Sequence, residues 1–339
     1  MSNMQDLLKQ INKDSDGILS VGLPSYDYKR IPFSSPRMNY CTYGGLPIGT
    51  LIEFFGEEHG GKTTTALDIV ANYQAMDTDK KVLYCDCENT LDRQWAEKIG
   101  VKVDDMYLLQ PKAESAETIF QYVLEAIETD EIGLVVIDSL AAMVSQQELD
   151  KDMEEKTYGG ISMALTRFSK KAEMACHKHR CTLIGINQMR DVIGAMFPME
   201  NTPGGKAWKH MCSVRLEFRR GKFIDEKGNE LTRGAENPAG NIVMMSMHKN
   251  KTCPPSRRVG FYTINYEIGV DWIKDMVDVA IKFGFIEKAG AWFKFIDPET
   301  GEILKDKIQG MANVYAVLNE DDKLFEWLKT NVYAKLETE

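Results

Sequence analysis

The sequence predicts an α/β fold: a parallel sheet with helices on both faces, extended by antiparallel strands and followed by a small α/β module. Three observations carry that expectation. Short apolar runs alternate with helical stretches between residues 50 and 188. Those runs are near-continuously apolar rather than apolar at every second position, as strands buried on both faces are. After Gln188 the rhythm changes to strands joined by turns such as Glu226-Lys227-Gly228-Asn229.

Taken in order, Met4, Leu7, Leu8 and Ile11 repeat at helical spacing and form a short amphipathic helix. The stretch after it is rich in Gly, Pro and Ser (Gly22, Pro24, Pro32, Ser34, Ser35, Pro36) and reads as a tether. So short a helix is unstable alone and must dock, on its own core or on a neighbouring subunit. Strands are expected at 51–55, 82–85, 134–137 and 183–186, with helices at 63–75, 91–99, 116–128 and 161–177. Strands at 213–218, 241–248 and 259–266 continue the sheet antiparallel. A helix over 272–283 opens the last module, with a strand at 291–296, a turn at 298–301 and a closing helix near 321–335. The division is 1–36 (helix and linker), 37–269 (core) and 270–339 (C-terminal module).

Between the first expected strand and its helix stand Gly56, Glu57, Glu58, His59, Gly60, Gly61, Lys62 and Thr63, the pattern G-x-x-x-x-G-K-T. In that strand–helix context it is a phosphate-binding loop for a nucleoside triphosphate. Glycines let successive N–H groups turn onto the phosphates, and the helix N-terminus at Thr63 and Thr64 adds its dipole. Lys62 reaches the β- and γ-phosphates, and the Thr63 hydroxyl ligates Mg2+.

The other polar residues of interest close expected parallel strands, where open α/β sheets bind ligands. Asp138 fits the carboxylate that orients Mg2+ or its water. Glu88 can orient or deprotonate the attacking water, or cap the helix that follows. Trp95 can stack on a base or sit in a helix core. Gln188 opens a long Gly/Pro-rich segment, 189–205, of a length that is usually functional. Its Met196 and Phe197 suit stacking against nucleic-acid bases; folding over the core is the other reading. A second candidate loop, 152–160, ends in Tyr158, Gly159 and Gly160.

The chain is acidic, with a formal net charge of −10 over 339 residues, which argues against a uniformly basic nucleic-acid binder. Charge is segregated, however. Lys206, Lys209, Arg215, Arg219, Arg220 and Lys222 crowd one window, and Lys249, Lys251, Arg257 and Arg258 another that has no acid. The 7 cysteines have no paired C-x-x-C spacing, so reduced, packed thiols are expected and no zinc site. Neither a signal peptide nor a membrane span is visible, which suggests a reducing cytoplasm.

These positions together resemble the RecA family of ATP-dependent strand-exchange recombinases, over roughly residues 37–295. The resemblance rests on 44–49 (GGLPIG), the phosphate loop, 86–92 (DCENTLD), 135–139 (VVIDS) and 186–190 (INQMR), then on 193–197 (IGAMF), 204–207 (GGKA), 213–216 (SVRL), 249–251 (KNK) and 286–292 (IEKAGAW). The short N-terminal part and the missing long acidic tail look more like phage-encoded recombinases of the UvsX type.

The resemblance implies a RecA-like P-loop NTPase core that uses ATP and Mg2+, filaments on single-stranded DNA, pairing with homologous duplex, and DNA-dependent hydrolysis between subunits. It implies Glu88 as catalytic carboxylate, Asp92 and Trp95 holding adenine, and Gln188 sensing the γ-phosphate. Lys249 and Lys251 would reach a neighbour's ATP. One DNA loop would comprise Arg190, Ile193, Gly194, Met196, Phe197, Gly204, Gly205 and Lys206, and the other Tyr158, Gly159 and Gly160. Ala164 stands where bacterial members carry a DNA-contacting Arg, so Arg167 or Lys171 would substitute; Lys206 replaces a common Asn. Single-strand-binding and mediator proteins are expected partners. The rival is a hexameric helicase on the same core, which has no use for the 249–251 pattern.

Overall fold

The computed structural model describes residues 4–14, 29–152, 159–191, 200–226, 229–232 and 234–338. Helix α1 (Met4–Asp14) precedes strand β1 (Arg30–Ile31), helix α2 (Pro36–Thr42) and strand β2 (Leu46–Pro47). The alternating region follows: β3 (Leu51–Gly56), α3 (Lys62–Ala75), β4 (Lys81–Asp86), α4 (Arg93–Ile99), β5 (Met106–Leu109), α5 (Ala116–Glu128), β6 (Ile132–Asp138), α6 (Gln146–Leu149), α7 (Ile161–Lys178) and β7 (Thr182–Gln188). Next come β8 (Arg190–Asp191), β9 (Glu200–Asn201), α8 (Gly205–Met211), β10 (Val214–Ile224), β11 (Gly240–Asn250), β12 (Val259–Asn265) and β13 (Gly269–Val270). The C-terminal module is α9 (Trp272–Phe283), β14 (Ile286–Ala289), β15 (Trp292–Ile296), β16 (Ile303–Gln309), α10 (Met311–Glu320) and α11 (Asp322–Thr338).

Nine strands form one sheet in the order β13-β12-β11-β10-β3-β7-β6-β4-β5. The run from β5 to β10 is parallel, and β10 to β13 is antiparallel. Against the expectation that 213–218 belongs to the antiparallel extension, β10 pairs parallel with β3 over Val214–Glu217. The chain from Gln188 to Val214 includes α8 and returns to the sheet's entrance side, as a parallel crossover must; the first reversal is the β10–β11 hairpin.

Every residue of β3 and of β6 is buried, which explains their mostly apolar sequences; Glu53 in β3 and Asp138 at the end of β6 are the charged exceptions. One face carries α3 with Leu67, Ile69 and Val70 buried; the other carries α5 and α7, locked by Phe120 stacked on Phe168 at 4.2 Å. Residues 30–36, grouped above with the linker, pair as β1 with β2 and bury Ile31 and Phe33. Ser35 caps Met38 N and Pro36 begins α2, so the Ser/Pro signal marked a helix start rather than slack chain. The C-terminal module has its own core around Val277, Phe295, Val314 and Leu328. It meets α2 through an Arg37–Asp278 ion pair at 3.0 Å and the Tyr40–Phe283 ring contact.

Candidate active site

The phosphate loop lies under the exit of β3, and its glycines are dictated by β10. A Cβ on Gly56 would stand 2.0 Å from the Phe218 carbonyl oxygen, and one on Gly60 2.8 Å from it. Gly61 holds φ at +91 against Ile264 and Val243. Lys62 begins α3 and folds back, Nζ donating to the Gly56 and Glu57 carbonyls at 3.1 and 2.5 Å. Burial lowers its pKa, against the opposing pull of Asp138, Glu58, Glu88 and Glu57. Those carbonyl bonds hold the ammonium at the mouth of an anion site.

Thr63 Oγ1 donates to Asp138 Oδ2 at 2.7 Å, and the buried Tyr84 hydroxyl donates to the same oxygen at 2.9 Å. Burial raises the pKa of Asp138, while these two bonds pull it back down. Glu88 sits one turn beyond β4. Its Oε1 accepts from the Ser139 hydroxyl at 2.5 Å and from Gln188 Nε2 at 3.3 Å. The sequence-predicted set Lys62, Thr63, Glu88, Asp138 and Gln188 is thus brought together from the exits of β3, β4, β6 and β7.

Sequence reasoning missed the residues that hold this set. Asp86, buried at the end of β4, accepts from Thr90 N, Leu91 N and Gln110 Nε2 at 3.1, 3.1 and 3.2 Å, which fixes the turn bearing Glu88. Glu53, fully buried in β3, accepts from Asn187 Nδ2 at 3.0 Å and Arg215 Nε at 2.5 Å; Asn187 also donates to the Pro203 carbonyl. That network joins β3, β7 and β10 to the far end of the 189–205 segment.

A cleft of about 380 Å³ opens beside the loop, lined by His59, Gly60, Gly61, Lys62, Thr63, Thr64 and Trp95 and, from the antiparallel strands and the turn after them, Arg220, Asn241, Ile264 and Tyr266. Tyr266 donates to Asn241 Oδ1 at 2.9 Å. Trp95 therefore faces a cleft rather than only a helix core. Asp92 is not among the lining residues; it is exposed, and its carboxylate caps α4 at Trp95 N. A larger hollow of about 930 Å³ adjoins it, walled by Glu57, Glu58 and Glu230 beside Arg220 and Lys222. Three carboxylates and no run of helix-terminal amides make it the poorer seat for phosphate.

Lys249 Nζ donates to the Lys209 and His210 carbonyls at 2.8 Å, and Lys251 Nζ to His210 at 3.3 Å, at the end of α8. Burial and then the charge of Lys251 lower the pKa of Lys249. Sheet register puts Asn250 beside Val214 and Val214 beside Ile52, at the entrance of β3. The phosphate loop leaves from its exit at Gly56, about 13 Å away at ~3.3 Å per residue.

Of the DNA-binding expectations, Tyr158, Ile193, Gly194, Met196 and Phe197 lie outside the described residues. Arg190 is in β8, paired with Asn201 of β9. Gly204 and Gly205 begin α8 against Leu165 and Ser162 of α7, with Lys206 exposed beside them. Gly159 and Gly160 precede α7, so the two segments adjoin at its first turn. Arg167 and Lys171 are exposed on α7, Lys171 bordering a groove with Glu125 and Glu128 of α5.

The RecA N-terminal domain family matches residues 3–271. The chain belongs to the RecA family. It is 35% identical to Protein RecA of Ruminococcus albus over 278 residues, 81% of this chain and 67% of that one. It is 34% identical to Protein RecA of Chloroherpeton thalassium over 294 residues, 86% and 76%. With Protein RecA of Chlorobaculum parvum the identity is 32% over 331 residues, 97% of this chain and 90% of that one. The chain is accordingly a DNA-dependent ATPase and strand-exchange recombinase that binds single-stranded DNA and self-assembles, and the ring-helicase alternative is not favoured. Among the described residues no helix is long and apolar enough to cross a membrane.

Proposed function

We propose that this cleft hydrolyses Mg2+-bound ATP at a joint between two copies of the chain, and that Gln188 passes the nucleotide state to the DNA-binding 189–205 segment. One observation carries the reading: Glu88 Oε1 is shared by Ser139 and Gln188, beside the Thr63–Asp138 pair. A carboxylate held there by a residue of the loop-bearing strand can feel the γ-phosphate and report it.

In the reaction, Glu88 orients the attacking water and takes its proton as the bond to the β–γ bridging oxygen breaks. Lys62 neutralises charge on the terminal phosphate. Thr63 and Asp138 fit a divalent cation: the Thr63 proton is given to Asp138 Oδ2, which leaves the hydroxyl lone pairs and the second carboxylate oxygen as hard ligands. Such an ion, when bound, offsets charge on the β- and γ-phosphates. Trp95 and Tyr266 supply flat faces for the base, and Asp92 reaches it only after leaving its helix cap.

Lys249 and Lys251 lie at the wrong end of β3 to serve their own cleft, which suits action on a neighbour's. Arg190, Ile193, Gly194, Met196, Phe197, Gly204, Gly205 and Lys206 form one DNA-binding surface, and Tyr158, Gly159, Gly160 with Arg167 and Lys171 the other. The three-part division at residues 36 and 269 stands in this reading, with 30–36 packed on the core. Single-strand-binding and mediator proteins are the partners that would govern loading.

Mixing two inactive variants tests the joint. Lys62→Ala and a Lys249→Met, Lys251→Met double variant should each hydrolyse little ATP on single-stranded DNA, and together should regain turnover. Mixed filaments, seen by electron microscopy, that stay inactive at every ratio would remove the lysines from a neighbour's site.

A further inference from the structure

Asp138 receives two hydroxyl protons on one oxygen, and only one of those donors comes from the phosphate loop. The other, Tyr84, lies in the middle of β4 and is 1% exposed. Its neighbours Leu83 and Cys85 are apolar strand residues packed into the opposite face of the sheet. A phenol at such a depth needs a partner for its proton, and the partner it has is Asp138 Oδ2. Among the described residues no donor is directed at Asp138 Oδ1.

We infer that Tyr84 is a positioning residue for the cation-side carboxylate. It holds Oδ2 from within the sheet so that Oδ1 stays free of protein donors when the Thr63 oxygen takes up a divalent ion. Thr63, which keeps its proton on Oδ2, cannot fix that oxygen alone, because its own oxygen is drawn by the ion. A donor from a neighbouring strand keeps the carboxylate in one rotamer throughout. β4 and β6 are paired over Tyr84 and Val136, two residues before Asp138, so the distance between the two is set by the sheet and not by a loop. The inference rests on the reading of Thr63 and Asp138 as the Mg2+ site.

Tyr84→Phe removes one oxygen and leaves the ring to pack. Binding of a fluorescent N-methylanthraniloyl-ATP is titrated against free Mg2+, without DNA, for the parent and the variant. The titrations are run at low temperature, where a protein lacking one buried hydrogen bond is still folded, with far-UV circular dichroism to verify the fold. The expected result is a Mg2+ midpoint raised about fivefold, with nucleotide affinity in excess EDTA unchanged. A purely structural role would weaken both affinities together, and that outcome overturns the inference, as does an unmoved midpoint. If the parent itself shows no dependence on Mg2+, the cation reading of Thr63 and Asp138 fails before Tyr84 is in question.

Discussion

Two regions of this chain bury carboxylates, and they surround them differently. At the strand exits, the buried Asp138 has two hydroxyl donors and a buried lysine nearby, and the exposed Glu88 accepts from a hydroxyl and an amide. At the joint between α3, the 33–42 segment and the C-terminal module, Asp68 and Asp275 are more deeply buried and poorly compensated. Asp275 accepts from the Ser35 hydroxyl, and its Oδ2 has no partner among the described residues. The nearby guanidinium of Arg37 is committed to Asp278. Burial pushes Asp275 well above the ordinary carboxylate range and Asp68 up to about 6. A buried charge survives only when donors and a counter-charge replace water. The first region surrounds its acids with donors; the second tolerates acids that function best as neutral wedges.

The largest expected effect breaks the first half of that contrast. Glu88→Gln keeps the acceptor for Ser139 but removes the base, so DNA-stimulated turnover should fall about 10²–10⁴-fold while nucleotide and DNA binding persist. A steady-state ATPase assay beside a filter-binding assay checks it; unchanged turnover would take Glu88 out of the mechanism. Next in size is the same substitution made in both regions. Asp138→Asn should lose the Mg2+-ATP increment in thermal stability, which is about 2.7 kcal/mol at a hundredfold excess of ligand over its Kd. Asp275→Asn should keep that increment, and at pH 7.5 should melt no lower than the parent. Equal behaviour of the two variants would erase the distinction.

The contrast also explains what could be read from the sequence. Gly56, Asp138 and Gln188 are legible because each is a polar or glycine break at the end of an apolar run, where a parallel sheet exposes it, and Lys62 and Thr63 because they complete the G-x-x-x-x-G-K-T spacing that begins at Gly56. Tyr84, Glu53 and Asp275 are not, because they lie inside apolar periodic stretches and their partners arrive from other strands. Nothing local to Tyr84 distinguishes a phenol bonded to a carboxylate from an aromatic strand former. Arg220, Asn241 and Tyr266 reach the cleft only because β10 pairs with β3, a pairing that separates residues by some 160 positions in the chain. Strand β5, an apolar run of four residues (Met106-Tyr107-Leu108-Leu109), escaped because it is short and half exposed at the sheet edge. Helix α2 escaped because Ser35 and Pro36 serve equally in a loop and at a helix start.

The smallest effect, and the sharpest test of the joint, concerns pH. Asp68 is 3% exposed, accepts from Ser34 N at 3.0 Å, and among the described residues is bonded to no cation. Its neighbours across the joint are Tyr262 and Tyr333, phenols whose pKa values are themselves raised by burial, and Asp275 acts on both rings as well. The folded pKa of about 6 lies above the unfolded value near 3.8, so the native state binds the proton more tightly. Stability from this group is fully present below about pH 4 and is lost as pH rises through 6. Asp68→Asn keeps an acceptor for Ser34 N and removes the charge. It should therefore be more stable than the parent at pH 7.5 by about 1–2 kcal/mol, less than the ~3 kcal/mol of a full two-unit shift because the new amide needs a partner of its own. The advantage should shrink between pH 6 and pH 4. Urea denaturation of both proteins across that range measures it, and a difference independent of pH would mean that Asp68 is ionised in the joint after all.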